Sequence, residues 1–259
     1  MASPLRRRLT IAVAALVALV IVGYGAVWLY ATVINDAPDA LDVDDLDAAL
    51  ATPTTSDAPT STPSTVAATT DTTDAPATTT TSDTPAGDTG TWTTTDGSVV
   101  GYRVAEVLFG VDTEGVGRTE QVAGSLVLDG SMLTAVEFSV DVASITSDDS
   151  RRDNQFRGRI MSADEFPTAQ FVLTEAVDLG VEATEGATVA TDILGELTLR
   201  GVTRPVIATV EARVSEGRIG IVGSIPVVFT DFDIVDPSLP GIVVEPDGLV
   251  EFVLILSPA

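Results

Sequence analysis

The stretch IGIVGSIPVVF (219–229) decides the fold of this chain. Apolar residues occupy every second position in it, namely Ile219, Ile221, Ile225, Val227 and Phe229. Successive side chains of a β-strand point to opposite faces, so this period of two predicts a strand with one buried and one solvated face. Gly223 keeps the same register and marks a place where another chain segment approaches closely.

The same period recurs along the C-terminal two thirds of the chain. The other alternating sets are Val100, Tyr102 and Val104; Val136, Phe138, Val140 and Val142; Phe171 and Leu173; Leu197 and Leu199; and Val250, Phe252, Leu254 and Leu256. Turn residues such as Asp129-Gly130 separate these runs, as in antiparallel hairpins. The residues alone therefore predict an all-β antiparallel domain of about eight strands, either a closed barrel or a sandwich.

One segment, DDSRRDNQFRGRIMSADEF (148–166), departs from the alternation. Asp148 or Asp149 is suited to cap a helix, and Phe156 and Ile160 follow at the i, i+4 spacing of one helical face. We expect a single short helical insert here.

Composition excludes several classes of function. The 259 residues carry 13 Lys plus Arg against 38 Asp plus Glu, a formal net charge of −25, which argues against a nucleic-acid partner. The chain has no Cys and no His, so thiolate metal sites, cysteine nucleophiles and Ser-His-Asp triads are excluded. We predict no enzyme activity, no cofactor and no metal. The alternative is an enzyme that uses paired carboxylates, as in glycoside hydrolysis, although the sequence singles out no one pair. The acids Asp231, Asp233 and Asp236 lack the spacing of a calcium loop and are interpreted as a solvated loop.

The sequence of the N-terminal 34 residues predicts a membrane anchor. Three arginines, Arg6 to Arg8, precede 22 uncharged residues over 9–30. A helix of that length measures about 33 Å, enough for a bilayer core of about 30 Å. The arginines favour a cytoplasmic N-terminus and an extracytoplasmic C-terminal domain in the cell membrane. The alternative is a cleaved signal peptide and a secreted protein.

The composition of residues 35–91 predicts a disordered stalk. They hold 11 Asp and no basic residue, and 17 of the 41 residues from Ala51 to Thr91 are Thr. Such a segment has little apolar surface to offset the entropy of ordering. The piece DAPDALDVDDLDAAL (36–50) is a candidate helix, but its apolar spacing is irregular and we expect disorder there too. The stalk serves either as a spacer that lifts residues 92–259 off the membrane or as a tolerated linker.

Four fragments of residues 92–259 resemble the YceI-like family. They are TWTTTDGSVVGYRV (91–104), VASITSDDSRRDNQFRGR (142–159), FRGRIMSADEFPTAQFVLTE (156–175) and GELTLRGVTRPV (195–206). The resemblance implies a lipocalin-like closed barrel around a long apolar channel that binds a polyisoprenoid or another long-chain lipid. The chain reads Asn154-Gln155-Phe156 where the family has His, so a His contact to the ligand is not made here.

Two interpretations of the inward-facing residues stay open. In the first they line a lipid tunnel, and the predicted apolar contacts are Tyr102, Val104, Phe138, Val140, Phe156, Phe171, Leu173, Leu197, Leu199 and Phe252. In the second the barrel is filled and acts as a structural or interaction module at the cell surface, with no small ligand. Sequence does not give cavity volume, which separates the two. A homodimer is also open.

The helical insert concentrates positive charge. Arg151, Arg152, Arg157 and Arg159 fall within nine residues of an acidic domain. Guanidinium groups suit a phosphate headgroup, and Arg152 and Arg157 are the predicted pair because they flank Phe156. The alternative is that these arginines pair with the acids of the same segment.

Overall fold

The computed structural model describes residues 4–29, 37–51 and 90–259. The Thr-rich residues 52–89 of the predicted stalk, and residues 30–36, lie outside the described residues. Three helices are α1 (Pro4–Leu29), α2 (Val43–Ala51) and α3 (Ser150–Gln155). The strands are β1 (Gly90–Thr94), β2 (Val99–Leu108), β3 (Val111–Thr119), β4 (Val122–Asp129), β5 (Met132–Asp141), β6 (Thr168–Leu173), β7 (Val177–Asp178), β8 (Thr188–Leu199), β9 (Val202–Ser215), β10 (Arg218–Val228), β11 (Ile242–Val244) and β12 (Asp247–Pro258).

The sequence over 9–30 was interpreted as a membrane-spanning helix. Within the part of the chain that the structure describes, no helix combines the length and the apolarity that a membrane crossing needs. The structure therefore does not support the anchor, which stays a prediction from the sequence.

The strands form a closed antiparallel barrel. Eight of them follow one another in the order β1, β4, β5, β6, β8, β9, β10 and β12, and β12 pairs back onto β1. β2 continues the wall beside β12 and forms a hairpin with β3. The predicted all-β class, the closed barrel of about eight strands and the short helix are thus confirmed, and the sandwich alternative is wrong.

Alternation places the core inside this barrel, as β10 illustrates. Ile219, Ile225 and Val227 are buried members of one continuous core. Gly223 lies among them because a side chain there would collide with its neighbours. A Cβ atom would lie 2.6 Å from the Thr209 carbonyl oxygen and 2.8 Å from the Phe252 ring.

The two ends of the barrel differ. At one end, which we call the mouth, β2 reaches its turn at Phe109-Gly110, and β5 runs into the helical segment after Asp141. At the opposite, closed end, Leu128, Ile219 and Leu256 are buried, and a cavity of only about 70 Å³ lies among the side chains there. The barrel interior is therefore packed more tightly at this end than toward the mouth.

Residues 37–51, which we call the docked segment, lie on the outer wall. In α2, Leu46 and Leu50 are buried against Val222, Val253 and Ile255, which point outward from β10 and β12. The expectation of disorder over 36–50 is wrong for residues 37–50, because these three wall residues supply the apolar partner that the segment lacks by itself.

Polar contacts fix the docked segment along its length. Arg103 donates from Nη2 to the Pro38 carbonyl oxygen at 2.7 Å, and Arg118 donates to the carbonyl of Asp39. Farther along, Arg213 pairs with Asp47, and Arg218 donates to the carbonyl of Leu50. Glu251 pairs with both Arg103 and Arg118 beneath the segment.

The docked segment changes the role of the Thr-rich residues. Ala51 ends α2 on the barrel wall, and Gly90 begins β1 of the same barrel. Both ends of residues 52–89 are therefore attached to one folded unit. The distance between the barrel and Ala37 is therefore set by the docked segment, and the spacer role of residues 35–91 stays a prediction from the sequence.

Candidate functional site

The barrel is hollow toward the mouth. A cavity of about 600 Å³ lies inside it, within the size range of small-ligand pockets. Apolar side chains from most of the barrel strands and from the helical segment line it, and the polar groups are few. Those polar groups include Glu106, Asp149, Arg151, Arg152 and Gln155.

Most of the residues predicted to contact a ligand line this cavity. They are Tyr102, Val104, Phe138, Val140, Arg152, Phe156, Phe171, Leu197, Leu199 and Phe252. Phe171 reaches inward over Gly195, where a Cβ atom would lie 2.3 Å from the ring. The residues that the alternation assigned to the barrel interior therefore do face the interior.

Two predicted residues are not part of the lining. Leu173 is opposite Gly195 at the end of β6 and packs against the core. Arg157 donates weakly to the carbonyl of Ile145 at 3.4 Å and to Oδ1 of Asn154 at 3.5 Å. The predicted headgroup pair of Arg152 and Arg157 is not formed.

The helical segment lies across the mouth. Asp149 caps α3 by accepting the N–H of Arg151 at 2.7 Å, as one of the two predicted caps. A π-turn over Phe156–Ile160 follows, in which the N–H of Met161 donates to the Phe156 carbonyl oxygen at 2.8 Å. Phe156 and Ile160 both face the cavity, as their spacing predicted.

Aromatic stacking holds the segment against β2. The rings of Tyr102 and Phe156 are stacked, with centroids 4.7 Å apart and planes inclined by 17°. Burial raises the pKa of the Tyr102 phenol well above its ordinary value. The hydroxyl is therefore neutral at physiological pH.

Arg152 is neutralised where it enters the cavity. Its Nη2 lies 3.0 Å from Oε1 of the buried Glu106, and its Nη1 lies 2.5 Å from Oδ1 of Asp148. Burial acts to lower the pKa of Arg152, but the charges of Glu106 and Asp148 outweigh it and raise the pKa above its ordinary value. The three side chains together carry a net negative charge, which is unsuited to an anionic headgroup.

Sequence reasoning missed several lining residues. Glu106 continues the inward set of Tyr102 and Val104, and the period of two would have found it. Leu239 and Ile242 come from the loop and short strand before β12, where no periodic pattern exists. Two guanidinium hydrogen bonds, from Arg159 to the carbonyls of Asp236 and Pro237, join that loop to the helical segment.

A closed antiparallel β-barrel with an apolar cavity inside it and a helix across its mouth defines the fold class of this protein. The family model described as the YceI-like domain matches residues 92–255. The chain belongs to the YceI-like family, and the resemblance stated from the sequence is confirmed.

Two curated relatives are similar to part of the chain. A UPF0312 protein of Vibrio vulnificus is 32% identical over 128 residues, covering 46% of this chain and 64% of the relative. A UPF0312 protein of Vibrio parahaemolyticus is 33% identical over 129 residues, with the same shares covered. The matches thus span less than two thirds of these curated relatives.

A solved structure shares the fold. It is a polyisoprenoid binding domain from Saccharophagus degradans implicated in plant cell wall breakdown, with a TM-score of 0.54 and 16% identity. The match covers 66% of this chain and 99% of that domain. At this identity the likeness concerns the fold alone.

Proposed function

We propose that the barrel binds one long apolar chain, an isoprenoid or an acyl chain, inside its cavity. The observation that carries the proposal is the apolar cavity of about 600 Å³. A filled barrel, the alternative considered from the sequence, has no space for a ligand. The family assignment and the polyisoprenoid binding domain that shares the fold support the proposal.

Burial of the chain supplies the binding free energy. Each CH₂ group removed from water contributes about 0.8 kcal/mol, so eight to ten groups supply roughly 6–8 kcal/mol before the entropy of association is subtracted. The polar side chains of the lining, including Glu106 and Arg152, belong mainly to the mouth. The apolar chain therefore points toward the closed end and its polar end remains at the mouth.

The polar end of the ligand is uncharged in this proposal. A phosphate near Arg152 would also meet the carboxylates of Glu106 and Asp148, which already occupy the guanidinium. A hydroxyl or carbonyl oxygen needs only one donor and adds no charge. An uncharged isoprenoid or acyl lipid fits this mouth better than a lipid phosphate.

Membrane attachment and extracytoplasmic location are proposed from the sequence of residues 1–34. Arg6 to Arg8 followed by 22 uncharged residues support this placement. Protease treatment of intact cells tests it. Digestion of the barrel in intact cells supports the proposal, whereas protection until the cells are lysed contradicts it.

Native mass spectrometry tests the binding function. The full chain is purified in a mild detergent from cells that express it, and its mass is recorded before and after organic extraction. We expect an adduct of several hundred daltons that extracts as an uncharged prenyl or acyl lipid. A mass equal to that of the chain alone, unchanged by added long-chain isoprenoid alcohol or fatty-acid ester, would overturn the proposal.

A further inference from the structure

An aromatic residue occupies the turn at the mouth. Phe109 and Gly110 join β2 to β3 with φ angles of 48° and 87°. The turns at Arg200-Gly201 and Glu216-Gly217 have the same left-handed geometry, with φ of 48° and 52° at their first residues. Glu216 is exposed to water and Arg200 donates to Ser162 and to the Asp233 carbonyl, whereas this turn presents an aromatic ring to water.

Packing within the fold accounts for only part of the Phe109 side chain. A bulky residue with positive φ is strained, and Asn is the residue that such turns favour. The side chain also leaves 59% of its surface exposed. Strain and exposure at one residue point to a contact outside the chain.

Phe109 belongs to a group of exposed apolar residues that we call the apolar tip. Val243 is 60% exposed, Val235 43% and Leu239 36%. A backbone hydrogen bond joins the Phe109 turn to the segment that carries the other three, because the N–H of Phe109 donates to the Gly241 carbonyl oxygen at 2.7 Å. The Phe109 ring covers Gly241 so closely that a Cβ atom there would lie 2.3 Å from it.

The apolar tip is continuous with the cavity. Leu108 precedes Phe109 and lines the cavity, and its cross-strand partner Ile242 does the same. Along β11, Ile242 and Val244 face inward while Val243 between them faces outward. One apolar surface therefore runs from the cavity to the exterior at the mouth.

We propose that the apolar tip inserts into the surface of a lipid bilayer, so that the cavity exchanges its ligand with the bilayer without passing it through water. This inference rests on the proposed function, because an apolar ligand resides in a membrane. Carboxylates surround the tip, with Asp112, Asp236 and Glu245 all exposed. Anionic headgroups repel them, so the tip prefers uncharged or zwitterionic lipids.

Chain length is compatible with this contact. Arg103 holds Pro38 of the docked segment, and Arg103 is five residues from the end of β2, about 17 Å along the strand. Residues 30–36, when fully extended, reach at most about 25 Å. A membrane segment at 9–30 and the apolar tip can therefore reach the same bilayer surface.

Single labels on the full chain test the proposal. The chain has no Cys, so Val243→Cys and Ile207→Cys each provide one thiol for an environment-sensitive nitrobenzoxadiazole label. Ile207 is the matched control, because it is 53% exposed on the barrel wall. Both proteins are reconstituted in phosphatidylcholine vesicles containing nitroxide-labelled lipid. We expect nitroxide quenching at position 243 at least about three times that at position 207.

A second variant separates insertion from folding. Phe109→Asn keeps the turn geometry and removes the ring, so we expect an unchanged or higher melting temperature. In this variant we expect the quenching at position 243 to fall to the level at position 207. In the labelled protein that keeps Phe109, we expect the quenching at position 243 to fall when half of the phosphatidylcholine is replaced by phosphatidylglycerol at low salt. Equal quenching at both positions would overturn the proposal. The proposal would also be overturned if the label at position 243 were protected from quenching by iodide but not quenched by nitroxide lipid, because a protein would then cover the tip.

Ligand content is measured on the same preparations by native mass spectrometry. Retained ligand without quenching overturns the apolar tip as a membrane contact and leaves the binding function intact. Quenching without any ligand overturns the binding function instead.

Discussion

Replacing Leu46 by Ala tests whether the docked segment belongs to the folded domain. The Leu46 side chain is fully buried between α2 and the barrel wall, where it contacts Gly220. Truncating a buried Leu to Ala lowers the free energy of unfolding by about 2–5 kcal/mol. We expect the lower part of this range, about 2–3 kcal/mol, because a short surface helix partly collapses onto the space.

The assay is thermal unfolding of the full chain in detergent, followed by circular dichroism of the strands. For a domain of this size, a loss of 2–3 kcal/mol lowers the melting temperature by about 5–10 °C. Asp44→Ala is the control, because Asp44 is an exposed residue of the same helix, and we expect a change below about 2 °C. A Leu46→Ala variant that melts within 1 °C of the parent, on the order of the error, would refute docking and return residues 37–51 to the stalk.

Three further predictions concern charged and ionisable groups. Glu251→Gln removes the carboxylate that Arg103 and Arg118 share but leaves Arg103 its pair with Glu114, so we expect a loss of about 1.5–3 kcal/mol in the free energy of unfolding, measured by thermal melting. Burial raises the pKa of Tyr102 above its ordinary value of 10.0, so the folded state disfavours the phenolate, and stability falls as the pH rises above about 10. Tyr102→Phe removes that part of the decline in a melting series from pH 8 to pH 11, a range set about the phenol's ordinary pKa. Glu106→Gln removes one carboxylate from Arg152, and we expect the relative affinity for a prenyl phosphate over the prenyl alcohol to rise about tenfold in competition experiments.

The alternation of apolar residues predicted much of the fold and of the lining. Strands β5, β10 and β12 have the inward residues that the period of two assigns, which is why Phe138 and Phe252 face the cavity. The pattern does not distinguish a hollow barrel from a filled one. That difference depends on the summed volume of the side chains within the closed sheet, and no local pattern encodes it.

Disorder was predicted for the docked segment because its apolar residues were considered without the wall residues that they contact. Val222, Val253 and Ile255 are apolar residues at outward positions, where alternation predicts polar ones. Adjacent strands β10 and β12 bring them together, and this exception to the pattern was the available signal. Leu46 and Leu50 fit it at the i, i+4 spacing of one helical face.

The position of Arg157 could not be predicted from helical spacing. The π-turn adds one residue to the helical repeat directly after Phe156. Residues beyond that point rotate relative to an ideal helix, so Arg157 points to the carbonyl of Ile145 rather than toward Arg152. The sequence pattern predicts a regular helix, whereas the extra residue of the π-turn depends on tertiary structure.

The central claim is that a long apolar ligand lies inside the barrel. The most direct test fills the cavity with a larger side chain and measures how much ligand stays bound. Ala169 lines the cavity opposite Val140, and Ala135 on β5 is exposed on the outer wall. In Ala169→Phe the ring displaces about four CH₂ groups of ligand, which weakens binding by about 3 kcal/mol, or about a hundredfold. Native mass spectrometry of the full chain then shows the ligand on the parent and on Ala135→Phe but not on Ala169→Phe. Equal loading of both variants would contradict the account and place the ligand elsewhere.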